Sequence, residues 1–202
     1  ENTGVVCFTP GTLIRVPGGE VPIETLRPGD LVQTRDNGVK PLLWVGRREL
    51  GGKELAVKPN LRPVLIKAGH FGLQRNLIVS PQHGVLLRQQ DRAGTEVLYR
   101  ARHLSTLLGG AAEVIGESQS VTYIHLLFDQ HEVVFSNGLP SESLYPGKIA
   151  LQSMSRSAQT ELVGLFPDLR HRRTAETYGP PVRAYSRRKS LPDHLNALTC
   201  AL

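Results

Sequence analysis

Turn signals interrupt this chain too often for long helices to form. Pro17-Gly18-Gly19, Arg27-Pro28-Gly29-Asp30, Asp36-Asn37-Gly38 and Asp91-Arg92-Ala93-Gly94 all combine residues that favour tight turns. Between them lie short aliphatic and β-branched runs: Thr12-Leu13-Ile14-Arg15-Val16, Val21-Pro22-Ile23, Leu31-Val32-Gln33-Thr34 and Lys40-Pro41-Leu42-Leu43-Trp44-Val45-Gly46. A strand and a turn about every eight to twelve residues predict an all-β fold. Further strands are expected at Leu55-Ala56-Val57, Val64-Leu65-Ile66, Asn76-Leu77-Ile78-Val79, Gly84-Val85-Leu86-Leu87 and Glu96-Val97-Leu98-Tyr99-Arg100-Ala101. Two more are expected over residues 122–127 and 132–135, and one short helix over residues 102–108.

The pattern changes near Tyr145-Pro146-Gly147. Residues 148–165 carry a weak helical spacing that Phe166-Pro167 ends. Residues 167–193 are rich in Arg and Pro without periodicity. Residues 191–202 are expected to add a helical turn or two, capped by Asp193. The predicted organisation is therefore a flank over residues 1–6, an all-β domain over 7–148 and a basic, partly helical extension over 149–202. The full 202 residues are enough for one domain with a real core and an appendage. No repeat stands out at a period of about 20 to 50 residues.

The net charge of +6 is unevenly spread. Residues 151–202 hold eight Lys or Arg against four Asp or Glu. Such a segment is either a solvated tail or a surface for an acidic partner or an anionic head group. Aromatic residues make up only 5% and no zinc-finger or RNA-binding motif occurs, which argues against a nucleic-acid partner. No apolar run approaches the roughly 20 residues that span a bilayer, which argues against a membrane partner. The chain begins with Glu1 and not Met, as a fragment or a processed chain would. No signal peptide is visible, and the compartment stays open, a secreted or cell-surface parent protein included. Two cysteines at opposite ends, Cys7 and Cys200, do not make a disulfide scaffold. Cys7 is read as a free thiol and Cys200 as incidental.

The chemistry-bearing residues come in a suggestive order. A lone cysteine, Cys7, opens the all-β pattern. Ser80-Pro81-Gln82-His83 follows at a distance, then His125-Leu126-Leu127-Phe128-Asp129-Gln130-His131 and Ser136-Asn137-Gly138. A candidate nucleophile followed by candidate proton handlers suggests a domain that attacks its own backbone. Plainer readings stand beside this one. Cys7 can be a small buried hydrophobe. His83 and His125 can be core histidines bonded to carbonyls, and His131 a turn residue. His125 and His131 match no standard metal-ligand spacing, so neither metal nor cofactor is expected.

The run Cys7-Phe8-Thr9-Pro10-Gly11-Thr12-Leu13-Ile14, with Val21-Pro22-Ile23-Glu24-Thr25-Leu26-Arg27-Pro28-Gly29-Asp30-Leu31-Val32, resembles the first block of Hint domains. These are the autoprocessing domains shared by hedgehog proteins and inteins. Ser80-Pro81-Gln82-His83 resembles the family's Thr-x-x-His block. Tyr123-Ile124-His125-Leu126 through His131-Glu132-Val133-Val134-Phe135-Ser136-Asn137-Gly138 resembles its late block. The likeness covers about residues 5–145 and is strongest to bacterial Hint-type domains outside the true inteins.

The resemblance implies a horseshoe-like all-β fold and an N-to-S acyl shift. The Cys7 thiolate would attack the carbonyl of Val6 and form a thioester. His83 would protonate the Cys7 nitrogen. Ser80, where the family usually has Thr, would hold the same peptide in a strained geometry. His125 stands where relatives carry Asp and would serve as base, with Asp129 as a fallback carboxylate. His131 aligns with an intein histidine that assists later steps. Glu142 and Ser143 occupy the positions of the terminal His-Asn of inteins, so full splicing is not expected. What remains is single-turnover cleavage before Cys7. The substrate is the chain's own upstream polypeptide, and water or a small nucleophile is the acceptor. The alternatives are a catalytically silent binding or presentation module, and transfer to a non-water acceptor, as hedgehog domains do with a sterol. The β-branched Val6 would slow attack by crowding its carbonyl.

Overall fold

The computed structural model describes residues 5–89, 93–107, 110–116, 120–170, 174–186 and 199–200. In chain order the first elements are β1 (Leu13–Val16), β2 (Gly19–Pro22), β3 (Leu31–Gln33), β4 (Val39–Pro41), β5 (Trp44–Gly51) and α1 (Gly52–Val57). There follow β6 (Val64–Ile66), β7 (Leu77–Val79), β8 (Gly84–Arg88), β9 (Glu96–Arg100), α2 (Ala101–Leu107) and β10 (Ala112–Val114). The last are β11 (Ser120–Leu127), β12 (Val133–Ser136), β13 (Leu139–Glu142), α3 (Lys148–Gln152), α4 (Arg156–Leu165), α5 (Thr174–Thr177) and β14 (Thr199–Cys200). The molecule is mostly β, with its helices short and gathered toward the C-terminal end, as the sequence predicts.

One sheet runs in the order β14-β8-β13-β12-β1-β2, with β9 added on β8. A second runs β10-β6-β7, and two ribbons pair β5 with β11 and β3 with β4. The predicted turns close their hairpins. Pro17-Gly18 joins β1 to β2, with Gly18 at φ +87. Asp36-Asn37-Gly38 joins β3 to β4. Asn137-Gly138 joins β12 to β13 with both residues at positive φ, 49 and 85, as the tightest hairpin turn requires.

Several expectations fail for identifiable reasons. Leu55-Ala56-Val57 lies in helix α1, not in a strand. A strand would put Leu55 and Val57 on one face, whereas Leu55 is 2% exposed and Val57 80%. The strand expected across residues 40–46 is two strands. The chain changes partner at Leu42 and Leu43, whose amides donate to Asp30 O and Leu127 O. β13 was not foreseen. Its residues Leu139-Pro140-Ser141-Glu142 show no alternation, because all four are buried between β12 and β8. β10 was missed as well. Thr199 and Cys200 extend along β8 rather than closing a helical turn, and Asp193 lies outside the described residues.

Two cores result. The larger lies between the sheets, around Phe8, Ile14, Ile66, Val79, Tyr99, Ile124 and Phe128. The second joins Cys7, Trp44, Leu50 and Tyr123 to Met154, Leu162, Leu169 and Tyr178. The described part of the extension is therefore no solvated tail, because it shares a core with Cys7. Tyr178 Oη donates to Phe128 O at 3.0 Å. Arg183 pairs with Asp36 at 2.9 Å and Glu96 at 3.0 Å, so this basic residue finds acidic partners within the chain.

Candidate functional site

Phe8 decides where Cys7 sits. It bridges antiparallel to Val79 at the end of β7 on one side and to Ile124 in β11 on the other. Phe8 and Ile124 exchange both backbone hydrogen bonds at 2.9 Å. One residue back in each antiparallel register, Cys7 falls beside Ser80 and His125. Three segments distant in sequence thus meet because one residue fills a slot between two strands. The apolar Phe8 side chain, 1% exposed, holds that slot in the core.

The spacing Ser80-x-x-His83 is a turn between β7 and β8, closed by His83 N–H donating to Ser80 O at 3.1 Å. The turn carries the Ser80 side chain to the Cys7 amide and the His83 ring against Phe8. Ser80 Oγ accepts the Cys7 N–H at 3.0 Å and donates to Val5 O at 2.6 Å, while Ser80 N–H donates to Cys7 O at 3.0 Å. Neither Val6 nor Cys7 has a left-handed φ. The grip on this segment is a hydrogen-bond clamp.

His125 holds the other side. Its Nδ1 lies 2.8 Å from Val6 O and its Nε2 lies 3.8 Å from Cys7 Sγ. A carbonyl oxygen only accepts, so the neutral ring carries its proton on Nδ1 and leaves Nε2 as the acceptor facing the thiol. Burial holds the imidazole down at about 4, partly offset by the bond to Val6. The ring is neutral at pH 7, as a base must be. Burial also pushes the Cys7 thiol well above its ordinary value, against smaller pulls from Ser80 and Arg48. The thiol, 4% exposed, donates to Val5 O at 3.2 Å.

His83 is fully buried and packs edge-on against Phe8, ring centroids 4.4 Å apart. Neither ring nitrogen has a hydrogen-bond partner among the described residues. Burial lowers it to about 4, with the Glu142 carboxylate and the Cys7 backbone pulling the other way. At rest it is neutral, so it is no standing acid.

The structure does not bring the other predicted residues to Cys7. His131 lies in a separate buried network. Its Nδ1 accepts the Val182 N–H at 3.1 Å, and its Nε2 is 3.1 Å from Glu142 Oε2 and 3.2 Å from Ser143 O. Asp129 is at the surface, paired with Lys40 at 2.8 Å. Ser143 Oγ accepts the Glu132 N–H at 3.0 Å, and Glu142 is enclosed in the sheet. No cluster of three or more His, Cys, Asp or Glu suited to a metal occurs among the described residues.

Sequence reasoning missed the surroundings of the site. Trp44 stacks on His125 with ring centroids 6.2 Å apart. It can do so because the residue opposite His125 is Gly46, where a Cβ would collide with the indole. Arg48, two residues on, faces the same way as Trp44 and donates from Nη2 to Glu54 at 2.9 Å and from Nη1 to Ser153 O. A glycine inside an otherwise regular strand was the available signal.

The family described as Hint domain matches residues 6–148. The chain is similar to a bacterial intein-like domain from Clostridium thermocellum at 14% identity, over 68% of this chain and 97% of that one, with a TM-score of 0.45. It is similar to a DnaB intein from Synechocystis sp. PCC 6803 at 12% identity, over 68% of this chain and 98% of that one, with a TM-score of 0.46. Neither structure is close enough for any residue's role to be carried over from it. No curated protein matches the chain.

Proposed function

The chain belongs to the Hint domain family, and we propose that it cuts its own backbone before Cys7 through an N-to-S acyl shift. The observation that carries this reading is the double contact of His125. One ring nitrogen faces the Cys7 thiol, and the other donates to the oxygen of the carbonyl whose carbon the thiol would attack.

The chemistry follows from those positions. As Sγ closes on the Val6 carbonyl carbon, its proton passes to His125 Nε2. The imidazolium so formed keeps its Nδ1 proton on Val6 O, where negative charge gathers. Ser80 Oγ holds the amide nitrogen in place. Collapse then needs a proton on that nitrogen, because an amide anion does not leave. The oxyanion in a low-dielectric interior favours the imidazolium form of its neighbours, so His83 becomes protonated only as the intermediate forms, taking over the proton that left Sγ through His125, and gives it to the nitrogen. The C–N bond breaks, Val6 becomes a thioester on Sγ, and Cys7 is left with a free amine. Water or another small nucleophile then takes the acyl group. The upstream polypeptide is the substrate. His131, remote from the cavity at Cys7, has no part in this step. Glu142 and Ser143, buried mid-chain, leave no terminal Asn to cyclise.

The test is intact mass of the chain extended upstream by a tag, with and without dithiothreitol or hydroxylamine. Cleavage before Cys7 that these nucleophiles accelerate, and that Cys7→Ala abolishes, establishes the thioester. A second reading, a silent presentation module, draws on the raised thiol and its bond to Val5 O. It predicts an uncut chain under every condition.

A further inference from the structure

A cavity of about 670 Å3 ends at Cys7. That is the size of a site that encloses a small organic ligand. Cleavage by water alone needs no such chamber. Three regions form most of its wall: the ribbon β5–β11 supplies Trp44, Leu50 and Tyr123, the segment after α1 supplies Lys58, Asn60 and Leu61, and the extension closes it with Met154 and the segment leading into α4. Arg48 ties the ribbon to the extension through its bond to Ser153 O.

Its charge is one-sided. Arg47, Arg48 and Lys58 line it, and no Asp or Glu does among the described residues. One carboxylate behind the wall, Glu54, is shared between Arg48 at 2.9 Å and Lys58 at 3.4 Å. Arg47 donates only to a backbone carbonyl, that of Glu24, in the contacts described. A second carboxylate, Glu161, holds Trp44 Nε1 at 2.6 Å from outside the lining. Cations on the rim and aromatic and aliphatic side chains within suit a molecule that is anionic at one end and apolar along its body.

We propose that this cavity binds the acyl acceptor, and that the acceptor is a small anionic amphiphile. A carboxylate or phosphate meets Arg47, Arg48 and Lys58. An apolar body lies against Trp44, Tyr123 and Met154. An N–H, O–H or S–H group reaches the Val6 thioester. This rests on the thioester reading above. Its nucleophilic atom bonds to the Val6 carbonyl carbon, the C–S bond breaks, and Cys7 leaves as thiolate. His125 Nε2 takes the nucleophile's proton and returns it to Sγ.

The experiment uses thiols of matched size as probes on the full chain with its upstream tag, each at equal thiolate concentration. Release of the tag is followed by mass with 3-mercaptopropionate, 2-mercaptoethanol and cysteamine. The anionic thiol is expected to release it about tenfold faster than the neutral one, with the cationic thiol slowest and the preference shrinking in high salt. 11-Mercaptoundecanoate is expected to saturate at lower concentration than the short thiol. Arg47→Gln with Lys58→Gln, both exposed positions, should bring the three short thiols close together while hydroxylamine still cleaves at the unaltered rate. Equal rates for the three thiols on the unaltered chain, with hydroxylamine cleavage intact, overturn the acceptor site and leave the thioester standing. No release by any nucleophile, hydroxylamine included, overturns both.

Discussion

His125 and Cys7 face each other across one antiparallel register, with Nε2 3.8 Å from Sγ. The ring's other nitrogen is committed to Val6 O at 2.8 Å, so base and carbonyl donor are one side chain. The two duties can be separated. His125→Asn keeps an N–H near the Val6 carbonyl but has no basic nitrogen toward the thiol. His125→Ala has neither. We expect hydroxylamine-dependent cleavage to fall about 10²-fold in the Asn variant and further in the Ala variant, in line with the loss of a general base and then of an oxyanion donor. An Asn variant as fast as the unaltered chain would remove the base from the mechanism.

Ser80 makes the clamp from the other side, and the clamp is a matter of stability as well as rate. Ser80→Ala leaves the buried Cys7 N–H without its partner and Val5 O with the weak Cys7 thiol donor alone. The cost is about 1–3 kcal/mol, and slower cleavage should accompany it. Ser80→Thr keeps the hydroxyl and should restore most of both. Urea midpoints for the three proteins check the ranking, and a Thr variant no better than Ala would place the effect in packing instead.

Acid should unfold this chain earlier than a comparable domain without buried histidines. His83 and His125 are both held down at about 4 by burial, against about 6.5 in an unfolded chain. As pH falls below 6.5 the unfolded chain binds protons that the folded one refuses. Stability is complete above about 6.5 and drains away down to about 4. A difference of about 2.5 pH units corresponds to roughly 3 kcal/mol for one imidazole. The two rings repel when charged, so the pair is not simply additive. We expect the urea midpoint to drop across that window, and His83→Gln to flatten the slope. A midpoint level from pH 6.5 to 4 would mean the imidazoles are not held neutral.

Much of this arrangement was legible in the sequence, and the limits are physical. Cys7, Ser80, His83 and His125 carry recognisable spacing, and the turns at Pro17-Gly18 and Asp36-Asn37-Gly38 signal their own geometry. What alternation cannot show is a strand buried on both faces: β13 reads Leu-Pro-Ser-Glu, and its polar residues are inside because they bond inside. Nor does periodicity report pairing between segments far apart. That Phe8 would bridge β7 and β11, or that Met154 and Tyr178 would join the core around Cys7, depends on tertiary contacts no local window contains. Leu55 misled for a related reason, since three apolar residues in a row suit a strand or a helix equally until burial separates them.

The extension is pinned through Glu142, which gives a last test. This carboxylate is fully buried and accepts the Gly84 N–H at 2.6 Å, next to His83 in sequence. Its other oxygen receives the Tyr185 hydroxyl and lies 3.1 Å from His131 Nε2. His131 Nδ1 is occupied by the Val182 N–H, so the ring proton sits on Nε2 and points at the carboxylate. Three donors therefore converge on Glu142. Glu142→Gln can still accept from Gly84 through its amide oxygen, but its NH2 then opposes the His131 N–H, and the Tyr185 hydroxyl must turn to accept instead of donate. That substitution should cost on the order of 3 kcal/mol. Tyr185→Phe removes one donor and leaves the carboxylate two others, which should cost about 1–2 kcal/mol. Its effect should be local: faster amide exchange at Leu98 and Ser186, whose backbone bonds join β9 to the extension. Urea unfolding and amide exchange on the two variants check the order. A Tyr185→Phe change as costly as Glu142→Gln, or one that leaves Leu98 and Ser186 protected, would show that the extension is held by its apolar core rather than by this carboxylate.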